Sequence, residues 1–373
     1  MISIRPYQDR AIAALVAVTS GIIWSPAGSG KTVIGAASLA KWIAKRRAAG
    51  EFRWYRILWL ANTTEQCTQA RAAIALFSEI EANADVLIAC YAAQIACYDF
   101  DIVILDECHH CGADTIAASL SGHTGIRWGL SATPEREDER RGDVFRLIGP
   151  IVERVHREEL LEAGFITPAK VFMHRIGAHS ELERQVADSA DPEIAIALRR
   201  WHNVSDEELK HRIIWRHAQT IGLIENQKRN DRVISIAKEH AADSTLIIVS
   251  QVEHGEKLKE RIPNSDIVYS KLGKKKRAKI LADFASGQLR TLIATSLADE
   301  GLDVPRANVL IQVAGGRSGR QAEQRTGRVL RTFAGKTHGT IHDFNDLGHC
   351  YLRSQSVRRE KTYRQLGYEI SEV

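Results

Sequence analysis

At 373 residues, 44% hydrophobic and 26% charged, the chain is long for one domain and has the balance of two core-bearing globular units, not of a disordered segment. No run of about 18 uncharged apolar residues occurs and the start "MISIRPYQDR" does not read as a secretory signal, so a membrane-spanning or exported class is not expected. The net charge of +5 is uneven: Lys271–Val373 holds 19 Lys+Arg against 10 Asp+Glu, which suggests a polyanionic partner beside the plainer reading of a solvated surface.

Along the first half, short apolar runs alternate with segments of helical period. "GIIWS" is followed by a helix over Val33–Lys45, then by "RILWLA", a second helix, "VLIAC" and "DIVILDE". "RWGLSATP" adds a further strand that Pro134 ends. Such β-branched runs between amphipathic stretches predict βα units on a parallel sheet. The grammar changes between about 156 and 230, where the charged, Trp-bearing stretch predicts a linker and helical insertion; Trp201 and Trp215 anchor it to a lobe or form a stacking platform. It restarts at "STLIIVS" (244–250) and continues through "DIVYS", "RTLIATS" and "NVLIQVA" to "GTIHDF". The expected architecture is therefore α/β with two tandem lobes: 1–155, an insertion over 156–230, and 231–373 with a basic C-terminal helix. Six cysteines (67, 90, 97, 108, 111 and 350) lack a framework spacing and read as reduced thiols of a cytosolic setting, or a nuclear one if eukaryotic.

The chemistry starts at "SPAGSGKT", Ser25 to Thr32, after the first strand. Gly28 and Gly30 let the backbone turn and aim N–H groups, that of Ser29 among them, at phosphate oxygens. Lys31 reaches the β and γ phosphates of a nucleotide such as ATP, and the Thr32 hydroxyl holds Mg²⁺. The general pattern wants glycine where Ser25 stands, but the remaining residues supply the cradle. Such a loop needs an acidic pair at a buried strand end, and "DIVILDECHH" provides it: Asp106 for the metal shell, Glu107 to polarise the attacking water. A zinc site of Cys108, His109, His110 and Cys111 is the rival reading; adjacent residues rarely converge on one tetrahedral ion, and no second Cys/His pair follows.

In this order the residues resemble a superfamily 2 helicase or translocase of the DExH type. "IRPYQDRAI" resembles the adenine-recognising motif, with Arg5 and Gln8 in its positions, and "SPAGSGKT" resembles motif I. "LANTTEQCTQA", with Thr63 and Thr64, is similar to motif Ia; "DECH" and "SAT" (Ser131 to Thr133) are similar to motifs II and III. "ATSLADEGLDVP" and "QRTGRVLR" resemble motifs V and VI. The resemblance implies two RecA-like lobes with mainly parallel sheets and ATP with Mg²⁺ in the cleft between them. It also implies Arg328 and Arg331 as arginine fingers, Gly301 and Asp303 as sensors of closure, and Ser131, Thr133 and Gln324 as coupling residues. Thr63, Thr64, Thr295, Arg317 and Ser318 would contact nucleic acid. "GLSATPERED", "GPIVERV", "NQKRND" and the tail "RSQSVRREKTYRQLGYEI" look like the branch that contains phage branch-migration helicases and the excision-repair helicase of the general transcription factor. That branch implies DNA more than RNA, and usually 3′ to 5′ movement. No base-reading module is visible, so contacts to phosphate are expected. An RNA helicase and a nucleotide-gated clamp are the rival functions.

Overall fold

In a computed structural model of the chain, the residues described are 3–112, 114–132, 141–176, 218–295, 302, 304–316, 319–347 and 350–373. They fall into two compact units, Met1–Ile166 and the bulk of Thr167–Val373.

The first unit carries six strands, β1 (Ser20–Trp24), β2 (Tyr55–Ala61), β3 (Ala84–Cys90), β4 (Ile102–Asp106), β5 (Ile126–Ser131) and β6 (Ile151–Arg154). They form one sheet in the order β3-β2-β4-β5-β1-β6, parallel at every pairing. Its helices are α1 (Pro6–Val16), α2 (Lys31–Ala48), α3 (Thr64–Ile74), α4 (Ser78–Glu81), α5 (Asp114–Ser121), α6 (Arg141–Ile148) and α7 (Arg157–Glu162). The central strands read as continuous apolar runs because both faces are covered. Ile57 and Trp59 of β2 and Ile102 and Ile104 of β4 pack with Ile34 and Ile43 of α2. The alternate residues Leu58, Leu60, Val103 and Leu105 pack on the other side with Val144, Leu147 and Ile148 of α6. Cys108 and Cys111, weighed above as zinc ligands, are buried in this second cluster.

The second unit carries β7 (Ala169–Ile176), β8 (Thr245–Ile248), β9 (Ser265–Val268), β10 (Thr291–Ala294), β11 (Val309–Gln312), β12 (Gly339–Asp346) and β13 (Glu369–Glu372). These also form one all-parallel sheet, in the order β13-β7-β12-β11-β8-β10-β9. Its longer helices are α8 (Gln227–Glu239), α9 (Val252–Arg261), α10 (Lys274–Ser286), α11 (Gly319–Val329) and α12 (Cys350–Gln365). Among the described residues, no helix is long and apolar enough to cross a membrane.

Three strands go beyond the sequence reading: β6, β7 and β13. β7 lies inside 156–230, the stretch expected to be linker and insertion, and pairs with β12 over eight register positions. The first unit also runs past residue 155, through α7, to Ile166. The helical reading of 178–217, with Trp201 and Trp215, lies outside the described residues.

One polar feature of the second unit has a measurable consequence. Arg232 Nε donates to His174 Nδ1 (3.2 Å), and His174 Nε2 meets His342 Nδ1 (2.9 Å). His342 Nε2 meets His240 Nε2 (3.0 Å), and His240 Nδ1 meets Asp243 (2.7 Å). With a donor-only arginine at one end and a carboxylate at the other, one proton per link gives every ring nitrogen of the chain a partner. Burial, reinforced by Arg232 beside it, pushes His174 down to about 4. Burial and then the neighbouring His174, His240 and Arg232 push His342 down to about 3. His254, buried beside Arg229, is pushed down to about 4.

Unfolded imidazoles take up protons below about pH 6.5 that these folded ones refuse, so acid favours the unfolded state. We expect the urea midpoint to hold above pH 7 and to fall as pH drops from 6.5 towards 4. Each depressed imidazole accounts for up to about 1.4 kcal/mol per pH unit in that window. His342→Gln should flatten the slope between pH 6.5 and 5; an identical slope in that variant would contradict the account.

Candidate active site

In the first sheet, β5 lies between β4 and β1, so the carboxyl ends of three adjacent strands open side by side. Ligands of parallel α/β sheets bind at such ends. The phosphate-type loop follows β1, the acidic pair ends β4, and Ser131 ends β5.

The loop is held from beneath. Ser25 N–H donates to Ser131 O at 3.0 Å, and Ser25 Oγ donates to Ser29 Oγ at 2.6 Å, both serines being buried. The residue that departs from the general pattern therefore pins the loop through a hydroxyl that glycine lacks. Tyr7 Oη and Gln8 Nε2 both donate to Ser29 O, at 2.6 and 3.1 Å. Gln8 Oε1 accepts from Arg5 N–H at 3.0 Å, which caps α1. The Arg5 guanidinium reaches Tyr7 Oη at 3.2 Å and lies 4.3 Å over the ring of Phe165. Gly28 and Gly30 take φ values of 87° and 79°, in the left-handed region that favours glycine. At Gly30, the N-cap of α2, a Cβ would stand 2.9 Å from Gln8 Nε2, and the left-handed backbone there strains any residue with a side chain.

The acidic pair faces this loop. Thr32 Oγ1 donates to Asp106 Oδ2 at 3.3 Å, and the Glu107 N–H donates to Asp106 Oδ1 at 3.0 Å. Tyr91 Oη donates to Asp106 O at 3.0 Å and fixes the end of β4. Burial, then the adjacent Glu107, pushes the Asp106 carboxyl up to about 7, against the opposing pull of Lys31. Glu107 adopts φ 50°, a left-handed conformation costing about 1 kcal/mol or more in a residue with a side chain. There its carboxylate lies 3.6 Å from Lys31 Nζ and 3.6 Å from His109 Nδ1. Among the described residues Glu107 Oε2 is a buried atom that finds no hydrogen-bond donor. A hydroxyl, a deeply buried carboxylate and an orphaned carboxylate oxygen at one strand end form an all-oxygen donor set suited to a hard cation such as Mg²⁺ with its water.

Lys31, Thr32, Asp106, Glu107 and Ser131 are thus brought together around one strand-end crevice. The sequence reading weighs His109 only as a zinc ligand and not as a site residue. Its Nδ1 lies 3.1 Å from Ser131 Oγ and within ion-pair distance of Glu107, so it joins the acidic pair to the end of β5. The "DECH" spacing was its signal. Thr63 Oγ1 accepts from Gln66 N–H at 3.3 Å and caps α3, while Thr64 is exposed on the first turn.

In the second unit Thr295 is buried just past β10, and Gln324 is half-buried on α11. Arg328 is buried in the last turn of α11, whereas Arg331 lies beyond the end of that helix, half-buried. A pair of solvated arginines on one helix face, the plain alternative, does not describe them. Lys274, Lys275 and Lys276 stand exposed on the first turn of α10. Thr133, Gly301, Asp303, Arg317 and Ser318 lie outside the described residues.

Comparison with known proteins agrees in both units. Residues 1–92 match the family described as Type III restriction enzyme, res subunit, and residues 226–333 match the helicase conserved C-terminal domain. The DNA 3'-5' helicase XPB of Mycobacterium tuberculosis is 28% identical over 348 residues, covering 88% of this chain and 58% of that protein. That of Kineococcus radiotolerans is 26% identical over 344 residues, covering 88% and 57%. The chain therefore spans little more than half the length of these relatives. Among solved structures, a DNA-bound ATP-dependent Type ISP restriction-modification enzyme, LlaBIII, superposes with a TM-score of 0.69 at 14% identity, covering 100% of this chain and 31% of that one. The Hef helicase domain of Pyrococcus furiosus gives 0.54 at 16% identity, covering 97% and 98%. These likenesses place the fold as two tandem RecA-like units.

Proposed function

The chain belongs to the superfamily 2 helicases, and from that premise we propose that it is a DNA-stimulated ATPase that moves along duplex or branched DNA and unwinds or remodels it. The observation that carries the reading is the shared crevice in which Lys31 and Thr32 of the loop meet Glu107 and Asp106 of β4.

In this proposal the backbone N–H groups of Gly28 to Thr32 and the Lys31 ammonium hold the β and γ phosphates of ATP. Thr32 Oγ1 and Asp106 would hold Mg²⁺, which when bound neutralises phosphate charge. Glu107, fixed between Lys31 and His109, orients the attacking water and takes its proton. His109 and Ser131 would pass the state of the acidic pair to the end of β5. Arg328 and Arg331, from the second unit, would complete the site by neutralising charge on the transferring phosphoryl group, so hydrolysis requires the two units to close on one nucleotide. Gly301 and Asp303 are assigned to sensing that closure, and Gln324, with Ser131 and Thr133, to coupling it to movement.

DNA as the polymer is supported by the names of the relatives and by charge. Three exposed lysines crowd the first turn of α10, where the helix dipole already presents positive charge, and a polyanion would relieve that repulsion. Thr64 at the start of α3 is a further candidate phosphate contact, as are Thr63, Thr295, Arg317 and Ser318.

The test is ATP turnover at matched salt with no nucleic acid, single strands, duplex, forks, four-way junctions and RNA, run beside strand- and triplex-displacement assays. Stimulation by DNA, greatest on branched forms and accompanied by displacement, is the expected result. Stimulation by RNA alone would make the chain an RNA helicase. Stimulated hydrolysis with no displacement of either kind would make it a clamp.

A further inference from the structure

The backbone between β11 and α11 is gripped by four side chains from three helices, α8, α11 and α12. Val313 O accepts from Arg229 Nη2 at 3.1 Å, and Gly315 O accepts from Arg325 Nη1 at 2.8 Å. Gly316 O accepts from Arg359 Nη1 at 3.1 Å, while the Gly316 N–H donates to Gln355 Oε1 at 3.3 Å. Gly315 and Gly316 have φ of 64° and 127°, so the turn takes a path that other residues resist. Three guanidinium groups on carbonyls so close together leave it little freedom.

Two of those arginines are themselves locked by buried carboxylates. Arg359 forks onto Asp343 through Nε (2.8 Å) and Nη2 (2.9 Å), with 1% and 0% of the two side chains exposed. Tyr363 Oη also donates to Asp343, at 2.8 Å. Arg229 pairs with Asp346 and lies 4.3 Å over the ring of Phe344. Arg359 and Gln355 both belong to α12, which packs against α11 closely enough that a Cβ at Gly319 would stand 2.5 Å from Thr362 Oγ1. Buried ion pairs of this kind seldom add stability over apolar packing; where they are retained, a defined geometry is the better-attested gain. The geometry defined here is the start of α11, the helix that carries Gln324 and Arg328.

We propose that Arg359 is a positioning residue for nucleotide hydrolysis: by holding the Gly315–Gly316 turn against Asp343 and α12, it sets the direction in which α11 presents Arg328. This rests on the functional reading above. Arg359 Nη2 also donates to Phe344 O at 3.2 Å, and lysine at this position keeps one charge but cannot reproduce the fork onto Asp343 together with the bonds to Gly316 O and Phe344 O.

The experiment compares full-length Arg359→Lys and Gln355→Met with wild type, Arg328→Ala and Tyr363→Phe. It measures kcat and KM for ATP at saturating DNA, thermal unfolding, and amide exchange of the 313–329 segment. In Arg359→Lys we expect kcat to fall about tenfold, ~1.4 kcal/mol of barrier, with KM for ATP nearly unchanged because the first unit is untouched. Exchange at the turn should rise. Gln355→Met loosens the same turn without unpairing a charge and should shift kcat the same way by less. Tyr363→Phe, which removes one bond to Asp343 but none to the turn itself, should lower the melting temperature and cost less kcat than Arg359→Lys. Retained kcat in Arg359→Lys despite faster exchange, or a loss of kcat matching the loss of folded protein in both turn variants, would overturn the inference alone. A wild type without stimulated hydrolysis would overturn the functional reading and the inference with it.

Discussion

A Glu107→Gln protein is expected to bind ATP with near wild-type affinity and to turn it over roughly 10²–10⁴-fold more slowly. The substitution preserves volume and removes charge, so the effect isolates what the carboxylate does. That carboxylate is held off its ordinary backbone conformation at φ 50°, 3.6 Å from the Lys31 ammonium, with one buried oxygen left for a donor. Lys31 keeps Ser25 O within 3.4 Å when Glu107 is neutralised, so the loop should retain its shape. The loop N–H groups and the ammonium that are proposed to hold phosphate are the same in the variant. Single-turnover hydrolysis beside equilibrium binding of a fluorescent ATP analogue checks the split. Turnover within about threefold of wild type would show that Glu107 does not act on water, since even a weak base contributes more.

How far the sequence carries a reader depends on where each element keeps its partners. β2, β4 and β8 are buried along almost their whole length, so their apolar runs announce them. β7 interleaves Lys170, His174 and Arg175 with its apolar residues and finds its neighbours far away in the chain, in β12 and β13. β13 is a four-residue edge strand with exposed glutamates, and β6 is an edge strand of equal length. Short, charged edges carry little periodic signal.

The candidate site divides along the same line. Lys31, Thr32, Asp106 and Glu107 were legible because phosphate and metal chemistry dictates residue types at fixed places after a strand. The supports were not. Tyr7 and Tyr91 act through a hydroxyl on a remote carbonyl, and Ser25 looked like a defect of the pattern. Thr63 carries two readings at one position, since its hydroxyl serves the helix cap that the "TTEQ" spacing also encodes. Arg229, Asp343 and Arg359 converge only through the folded sheet, so spacing could not pair them.

Arg328→Ala is expected to remove about 10³-fold of the DNA-stimulated kcat while leaving the binding of ATP to the loop of the first unit in place. Arg328 is 8% exposed at the end of α11, so alanine there removes a buried guanidinium and not a solvated one. Arg328→Lys should rescue poorly, because a point charge cannot span two phosphoryl oxygens as a guanidinium fork does. Arg331 lies past the end of the helix, so Arg331→Ala tests whether one arginine or two meet the phosphoryl group. Comparable losses from the two single variants, with no further loss when they are combined, would mean the arginines act as a unit. A tight ADP–metal-fluoride complex formed by wild type and lost in Arg328→Ala would tie the effect to the transition state. Full turnover by Arg328→Ala would mean that the charge is balanced from within the first unit, and closure of the second unit would lose its role in the chemistry.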